Sequence, residues 1–509
     1  MKGIKGKYLT LTKGQPREER RRRSRRQLSG VLISAAVFGG VHARGQAVET
    51  RDENHAAQLP TAPSAVQRPL MLPGGVRVER ERSGAIPLTL DDAIQIALKN
   101  NVEIVVRKQQ ERYVRGQTLT VGNALLPNIE ARGYTQAQEI DLAAMGFKPG
   151  AVKVPGVVGE FPTIVKVNTT SAQLTLSQQL FNVPAFYLYF AARKAGEAAN
   201  WATLSARGSV VLATGGLYLK ILADEADVGN AEGLVKQDEL VYEHAKASRD
   251  AGVGINLDVL RAQVQLQNEQ QILVRAVNTE AKDKILLNRE MGQPAGQELK
   301  LLDAVPFADL GTMTVGEAME VAEVKRKDLR GLEVQLEVAE KARQAVRFER
   351  LPTLGVGGYY GVLGETRGLY HGVFAAEGLL SIPVFQEATF RGQREVAAAQ
   401  VAGLRRQIEG RRGQIEAEIR SSMLDVQTAA ELVKVARSSV GLATEALNDA
   451  TMRFTAGVED NMPVVRAQTT LTGAQAQMVQ AEFQYNYAKL TLARNTGVVE
   501  TQYRQYLGR

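Results

Sequence analysis

Apolar residues recur with a seven-residue period in the second half of the chain. They advance by alternating steps of three and four, at Val433, Ala436, Val440, Ala443, Leu447, Ala450 and Phe454. This spacing is typical of a coiled-coil seam, and its alanines let a partner helix approach closely. We predict one helix from Glu387 to about Thr455, which at about 1.5 Å per residue is a rod of roughly 100 Å.

A second long helix is predicted in the first half, from Pro184 to Ala251. The same spacing is kept there by Val228, Ala231, Val235, Tyr242 and Ala245, with interruptions at Asp238 and Arg249. A tight turn should follow each long helix, because the sequence then offers turn glycines and asparagines suited to N-capping a returning helix. These tip residues are Gly252, Asn256, Gly457 and Asn461. The returning helices are expected to end at Gly292 and Gly497.

Four short segments alternate apolar and polar residues with a period of two. They are 129–137, 172–177, 354–362 and 374–382. This alternation predicts strands with one apolar and one polar face. Before each strand pair we predict a helix of about 35 residues, which begins at a capping-box sequence (Thr89 or Thr314) and ends at a proline (Pro127 or Pro352).

The elements occur twice because the sequence is duplicated. Leu88–Tyr134 aligns with Met313–Tyr359 at an offset of 225, and later segments align at 204–205. The expected organisation is a signal peptide (1–43), a disordered linker (44–86), a first repeat (87–297), a connector (298–312), a second repeat (313–497) and a C-terminal tail (498–509). The fold class is α+β, mainly α, with duplicated long helical hairpins.

Charge and composition narrow the choice of compartment and partner. Residues 1–43 carry a net charge of +9, which accounts for the whole net charge of +8, and an arginine run there precedes a short apolar stretch. This order is typical of a secretory signal, although a disordered basic tail is an alternative. The remainder is nearly neutral, so no nucleic-acid partner is expected. There is no cysteine, so we expect neither disulfides nor a lipid anchor on an N-terminal cysteine.

The predicted strands require more than one chain to close a sheet. Strands of about ten residues with one apolar and one polar face fit a transmembrane barrel around an aqueous lumen. Four strands cannot close a barrel and would expose their edges, whereas three chains supply twelve. We therefore expect a homotrimer in contact with outer-membrane lipid.

Several motifs, in duplicated order, resemble the TolC-like outer membrane efflux protein family over about residues 88–497. They are residues 88–93, Leu125-Leu126-Pro127, residues 176–181, and the turn at 453–458 together with the segment that follows it as far as Gln468. The resemblance implies a trimer with a twelve-stranded outer-membrane β-barrel and a periplasmic α-barrel. It also implies docking to a periplasmic adaptor and an inner-membrane pump or exporter, in a system that exports substrates passively through the channel.

Candidate site residues fall into two groups. Lumen candidates are Glu130, Arg132, Gln173, Glu377 and Ser381, which could tune selectivity or simply be solvated. By resemblance, the periplasmic aperture lies just beyond the tip turns, at Asp258, Arg261, Glu459, Pro463 and Arg466. These arginines could line the aperture, and Asp258 could pair with one to tie neighbouring tips shut. The alternatives are a solvated helix face and a favourable first-turn acid.

No motif indicates an enzyme or a cofactor. The four histidines are scattered, and HExxH, Gly-x-Ser-x-Gly and P-loop spacings do not occur. Two functions remain: an outer-membrane exit channel extending into the periplasm, or a non-pore periplasmic coiled-coil scaffold. A scaffold has no need for duplicated amphipathic strands.

Overall fold

The computed structural model describes residues 84–144, 164–303, 308–311, 313–456, 458 and 462–508. All of them belong to the compact unit Ser64–Arg509. The predicted signal peptide, the linker up to residue 83, and the tip residues Gly457, Glu459 and Asn461 lie outside the described residues.

The two repeats have matching element orders. The first contains β1 (Ile86–Leu88), α1 (Leu90–Asn100), α2 (Val102–Gly122), β2 (Asn128–Asp141), β3 (Ile164–Phe181), α3 (Val183–Asp250) and α4 (Asn256–Met291). The second contains β4 (Leu299–Leu301), α5 (Val315–Lys325), α6 (Lys327–Phe348), β5 (Thr353–Glu365), β6 (Tyr370–Ser381), α7 (Glu387–Thr455) and α8 (Met462–Asn495). A final helix, α9 (Val499–Leu507), follows the second repeat and has no counterpart after the first. The expected α+β class, dominated by long helical hairpins, is confirmed.

The long helices match their predicted bounds within a residue. Helix α3 has 68 residues and α7 has 69. Asn182 caps α3 by accepting from the Ala185 amide at 3.0 Å, and Pro184 lies in its first turn. Along the α7 seam, Ala443 packs with Leu471 and Ala474 of α8, as the heptad pattern predicts. Among the described residues, none of the helices combines the length and apolarity that crossing a bilayer requires.

The prediction of one continuous helix before each strand pair is wrong. The capping boxes at Thr89 and Thr314 are present, but the helices break at Asn101 (ψ 132°) and Arg326 (ψ 112°). Asn101 is nearly inaccessible, and its amide donates to the Glu290 carbonyl and carboxylate. Tertiary contacts therefore override a sequence that is locally helical.

The four long strands form one antiparallel sheet in the order β2-β3-β5-β6. They are longer than predicted, since the sequence alternation weakens before the hydrogen-bond ladder ends. A separate parallel pair joins β1 to β4, with Ile86 opposite Leu299. Strand β1 spans the predicted boundary between the linker and the first repeat, whereas β4 lies within the predicted connector.

The main hydrophobic core lies where α1, α3, α4, α7, α8 and α9 meet. Tyr218 of α3 is fully buried, and its hydroxyl donates to the Leu88 carbonyl at 2.9 Å. Residues 498–509, expected as a tail, contain α9, whose Val499, Tyr503 and Leu507 are buried in this core. The long hairpins and the sheet therefore extend from a common packed region.

Candidate functional site

The polar face of the sheet collects all five lumen candidates. Residues directly opposite each other in a sheet share a face, and residues two apart on one strand do too. Arg132 is opposite Gln173, Ser177 is opposite Gly357, and Gly357 is opposite Glu377. Glu130 lies two residues from Arg132 on β2, and Ser381 lies four residues from Glu377 on β6, so both share this face. The alternation in the sequence therefore predicted a common face.

Local contacts on this face are weak and leave the side chains accessible. The Arg132 guanidinium lies 3.4 Å from the Glu130 carboxylate, with both side chains more than half exposed. The Gln173 amide donates to the Ser171 hydroxyl at 2.8 Å, and that hydroxyl donates to the Val362 carbonyl. Apart from the buried Ser171 and the apolar Leu363, Val373 and Leu379 of the second hairpin, the face presents hydrogen-bonding groups to water.

The opposite face is apolar over most of its length and is exposed in the isolated chain. At the far end of β2 and β3 it carries an ion pair between Glu139 and Lys166 at 2.6 Å. Its large exposed side chains include Ile129, Leu174, Leu176, Leu354, Tyr360, Val362, Phe374 and Leu380. A face of this composition is unfavourable in water and favourable against acyl chains. The sheet is therefore amphipathic across its whole width.

The polar face also contains residues that were not among the lumen candidates. They are Tyr134, Gln136, Gln138, Thr169, Thr175, Ser177 and Tyr359. Five of them lie within the segments whose alternation predicted strands. Gln138 and Thr169 would be found by continuing the same two-residue period along β2 and β3.

The first helical tip is a glycine turn with an exposed apolar apex. Gly252 has φ +78°, in the left-handed region that favours glycine, and the Val253 amide donates to the Ser248 carbonyl at 3.0 Å. Asn256 is the first residue of α4, and the N-cap is Ile255, which forms no side-chain cap. The prediction that Asn256 is the N-cap is therefore wrong.

The second tip has the same closing hydrogen bond. The Val458 amide donates to the Arg453 carbonyl at 3.1 Å, the counterpart of the bond made by Val253. Both valines are strongly exposed, at 85% for Val253 and 73% for Val458. Pro463 and Arg466 lie in the first turn and a half of α8.

Asp258 pairs within its own helix. Its carboxylate lies 3.7 Å from the Arg261 guanidinium, at i,i+3 spacing, and both side chains are more than half exposed. The structure therefore brings these two aperture candidates together on α4, whereas the idea of a contact that ties neighbouring tips remains a hypothesis.

Buried carboxyl groups lie between the helices of the first hairpin. Asp238 of α3 and Glu269 of α4 are each 8% exposed, and Gln265 donates to Glu269 at 3.0 Å. Burial raises the pKa of both carboxyls, and the charge of Asp238 raises the pKa of Glu269 further. Nearer the core, burial and Asp283 raise the pKa of Asp224 to about 6, against the opposing effect of Lys220.

Within the described ranges, no cluster of three or more His, Cys, Asp or Glu side chains is arranged to hold a metal ion. The polar groups of the sheet face are spread along strands and do not converge on one point. Their arrangement suits the solvation of a passage better than the binding of a single ligand.

Comparison with known proteins identifies the fold. The structure is similar to the Campylobacter jejuni CmeC outer membrane channel, with a TM-score of 0.68 and 14% identity over 81% of this chain and 86% of that one. It is also similar to VceC of Vibrio cholerae (TM-score 0.64, 16% identity, 80% and 96% covered). A third is the Neisseria gonorrhoeae MtrE outer membrane channel (TM-score 0.66, 18% identity, 80% and 89% covered).

Family membership rests on the sequence. No curated protein has significant sequence similarity to the chain. The family model described as outer membrane efflux protein matches residues 93–293 and 318–498, which are most of the two repeats. The chain belongs to the outer membrane efflux protein family.

Proposed function

We propose that this protein is the outer-membrane exit channel of a tripartite efflux or secretion assembly, and that it acts as a homotrimer through which substrates pass passively. The single observation that supports this most strongly is the sheet. It has one polar face, one apolar face and, within the described residues, two open edges, at β2 and β6.

The open edges favour a closed oligomer. A strand of twelve or more residues with unpaired backbone groups is prone to pair with another chain. In a bilayer every backbone polar group needs a partner, so a barrel without edges is the stable arrangement. Three copies of four strands give the twelve-stranded barrel expected from the sequence, with the polar face inward.

The hairpins suit the periplasmic half of such a channel. A helix of 68 or 69 residues is about 100 Å long, far more than a compact core needs. With the sheet in the outer membrane, the tips at 251–255 and around 458 would reach toward the inner membrane. Their exposed valines would be available to a periplasmic adaptor, which links the channel to an inner-membrane pump.

A non-pore periplasmic scaffold is the competing function. The coiled-coil hairpins would serve a scaffold equally well, but the amphipathic sheet would not. The large apolar side chains on one face would face water in a soluble scaffold and promote aggregation.

Localisation and native mass distinguish the two functions. We expect the full-length protein, expressed in a Gram-negative host, to fractionate with outer-membrane markers and to show the mass of three chains after detergent extraction. Recovery in the soluble periplasmic fraction, or a stable monomer in detergent, would contradict the channel. Co-purification of an adaptor and pump with the tagged channel then tests the assembly.

A further inference from the structure

The internal duplication of the sheet defines how the open edges meet. Within one chain, β3 of the first repeat pairs with β5 of the second. When the repeats are exchanged, the corresponding strands are β6 and β2, which form the two edges of the sheet in the part of the chain that the structure describes. The β3–β5 junction is therefore a template for a junction between β6 of one chain and β2 of another.

Two sequence offsets describe the equivalence between the repeats. An offset of 225 relates β2 to β5, since Gly133 and Tyr134 match Gly358 and Tyr359. Strand β2 begins at Asn128 and β5 begins 225 residues later, at Thr353. An offset of 204 relates β3 to β6, where Leu176 and Phe181 match Leu380 and Phe385.

The hairpins provide an independent check on both offsets. In the first hairpin, Glu130 is opposite Thr175. Applying 225 to Glu130 and 204 to Thr175 gives Gly355 and Leu379, and these residues are opposite each other in the second hairpin. Offsets taken from sequence thus reproduce an observed strand register.

The same offsets convert the β3–β5 register into one between chains. The observed pair of Ala172 and Val362 becomes Ala376 and the partner subunit's Ala137. We infer that β6 of one copy pairs antiparallel with β2 of the next, with Ala376 opposite the partner subunit's Ala137. This inference rests on the proposed homotrimer and specifies its strand register.

The faces of the sheet agree with this register. It places Glu377 opposite the partner subunit's Gln136 and Ser381 opposite the partner subunit's Arg132, all on polar-face positions. Leu380 comes opposite the partner subunit's Gly133 on the apolar face. A shift by one residue would place polar positions opposite apolar ones. Both faces therefore remain continuous only in this register or in one shifted from it by an even number of residues.

Exposure at the strand ends shows what the second copy would cover. Phe181, which lies in the junction within the chain, is 47% exposed. Its counterpart Phe385, which follows the open edge of β6, is 93% exposed. If β2 of the second copy covered Phe385 as β5 covers Phe181, the two side chains would be similarly exposed. The contact would also bury apolar area.

Disulfide cross-linking tests the register cleanly because the chain has no cysteine. The variant A137C/A376C places two thiols at an opposed pair, where Cα atoms are about 4.5–5.5 Å apart and a disulfide can form. After mild oxidation in outer-membrane vesicles, we expect covalent dimers and trimers on a non-reducing gel. The reference A172C/V362C should instead form a bond within one chain.

The matched control is A137C/G378C, which keeps the same face but shifts the register by two residues. A side chain at Gly378 would meet no other atom within 4 Å, so the substitution is tolerated locally. We expect A137C/A376C to cross-link several-fold faster than this control. Faster cross-linking of A137C/G378C in a protein that is still trimeric would overturn the register alone. A monomer by native mass would overturn the proposed function as well.

Discussion

Arg326 is the clearest place to test how buried charges organise the helices. It occupies the break between α5 and α6, and its side chain is 2% exposed. The guanidinium donates to both oxygens of Asp328 at 2.8 Å, to Glu418 at 2.8 Å, and to the Asn495 carbonyl at 3.0 Å. It therefore links four segments: α5, α6, α7 and the end of α8.

The expected cost of R326A follows from these contacts. Removing one partner of a buried ion pair costs about 3–5 kcal/mol because a buried charge is left uncompensated. Arg411 also pairs with Asp328 and Glu418, so both carboxylates keep one partner. We therefore expect destabilisation near the lower end, about 3 kcal/mol.

The pH dependence provides a second observable. Burial alone would raise the pKa of Asp328, but Arg326 and Arg411 outweigh it and hold that pKa well below its usual range. A carboxyl with a depressed folded pKa stabilises the protein above its unfolded pKa, about 4, and loses this contribution as the pH falls through the folded value. In R326A the folded pKa of Asp328 should lie closer to the unfolded value, so the loss of stability on acidification should be smaller and should be complete at a higher pH.

Thermal unfolding of the detergent-extracted protein at several pH values, followed by far-UV circular dichroism at fixed protein concentration, measures both effects. R420A is the matched control, because Arg420 forms an exposed ion pair with Glu416 at 2.8 Å that should contribute less than about 1 kcal/mol. If R326A shifted the midpoint no more than R420A, the network would not organise the helix break.

Four further predictions concern the hairpins, their ends and their tips. Burial raises the pKa of Asp238, so the stabilising effect of this carboxyl is present below its unfolded pKa and is lost as the pH rises through its folded pKa. D238N should therefore raise the unfolding midpoint more at about pH 8 than at about pH 5. Equal shifts at the two pH values would contradict this. G497A forces a left-handed φ of +81° and places Cβ 2.7 Å from backbone atoms, whereas Cβ in G252A, at φ +78°, meets nothing within 4 Å, so G497A should lower the midpoint more than G252A. If Arg466 lines the aperture, R466D should shift the reversal potential in a salt gradient toward cation selectivity, while unchanged selectivity would place this side chain away from the pore. D258A should raise basal conductance only if the Asp258 carboxylate restrains the tips.

Local patterns in the sequence were sufficient for the long helices and the sheet faces. The heptads of α7 and the alternation in β3 depend on neighbouring positions, so a single sequence contains them. The capping boxes at Thr89 and Thr314 are equally local, and both were found. The lumen candidates share a face because that face follows directly from a period of two.

Features set by distant contacts could not be predicted in this way. Asn101 breaks its helix through a bond to Glu290, far along the chain, and Arg326 does so through Glu418 and Asn495. Helix α9 is short, and its burial depends on the surface that the rest of the core provides. The capping role expected of Asn256 failed because Ile255 takes the position before the helix. These outcomes require the packed structure.

The most direct test of the channel is the accessibility of adjacent positions on β3. Gln173 lies on the polar face and Leu174 on the apolar face, in a chain without competing cysteines. Single trimers of Q173C and L174C can be reconstituted in planar bilayers and exposed to a water-soluble, charged methanethiosulfonate reagent. We predict a stepwise fall in conductance for Q173C and no change for L174C. Block of L174C with Q173C unaffected, or no ion conductance by either protein, would contradict a lumen lined by the polar face.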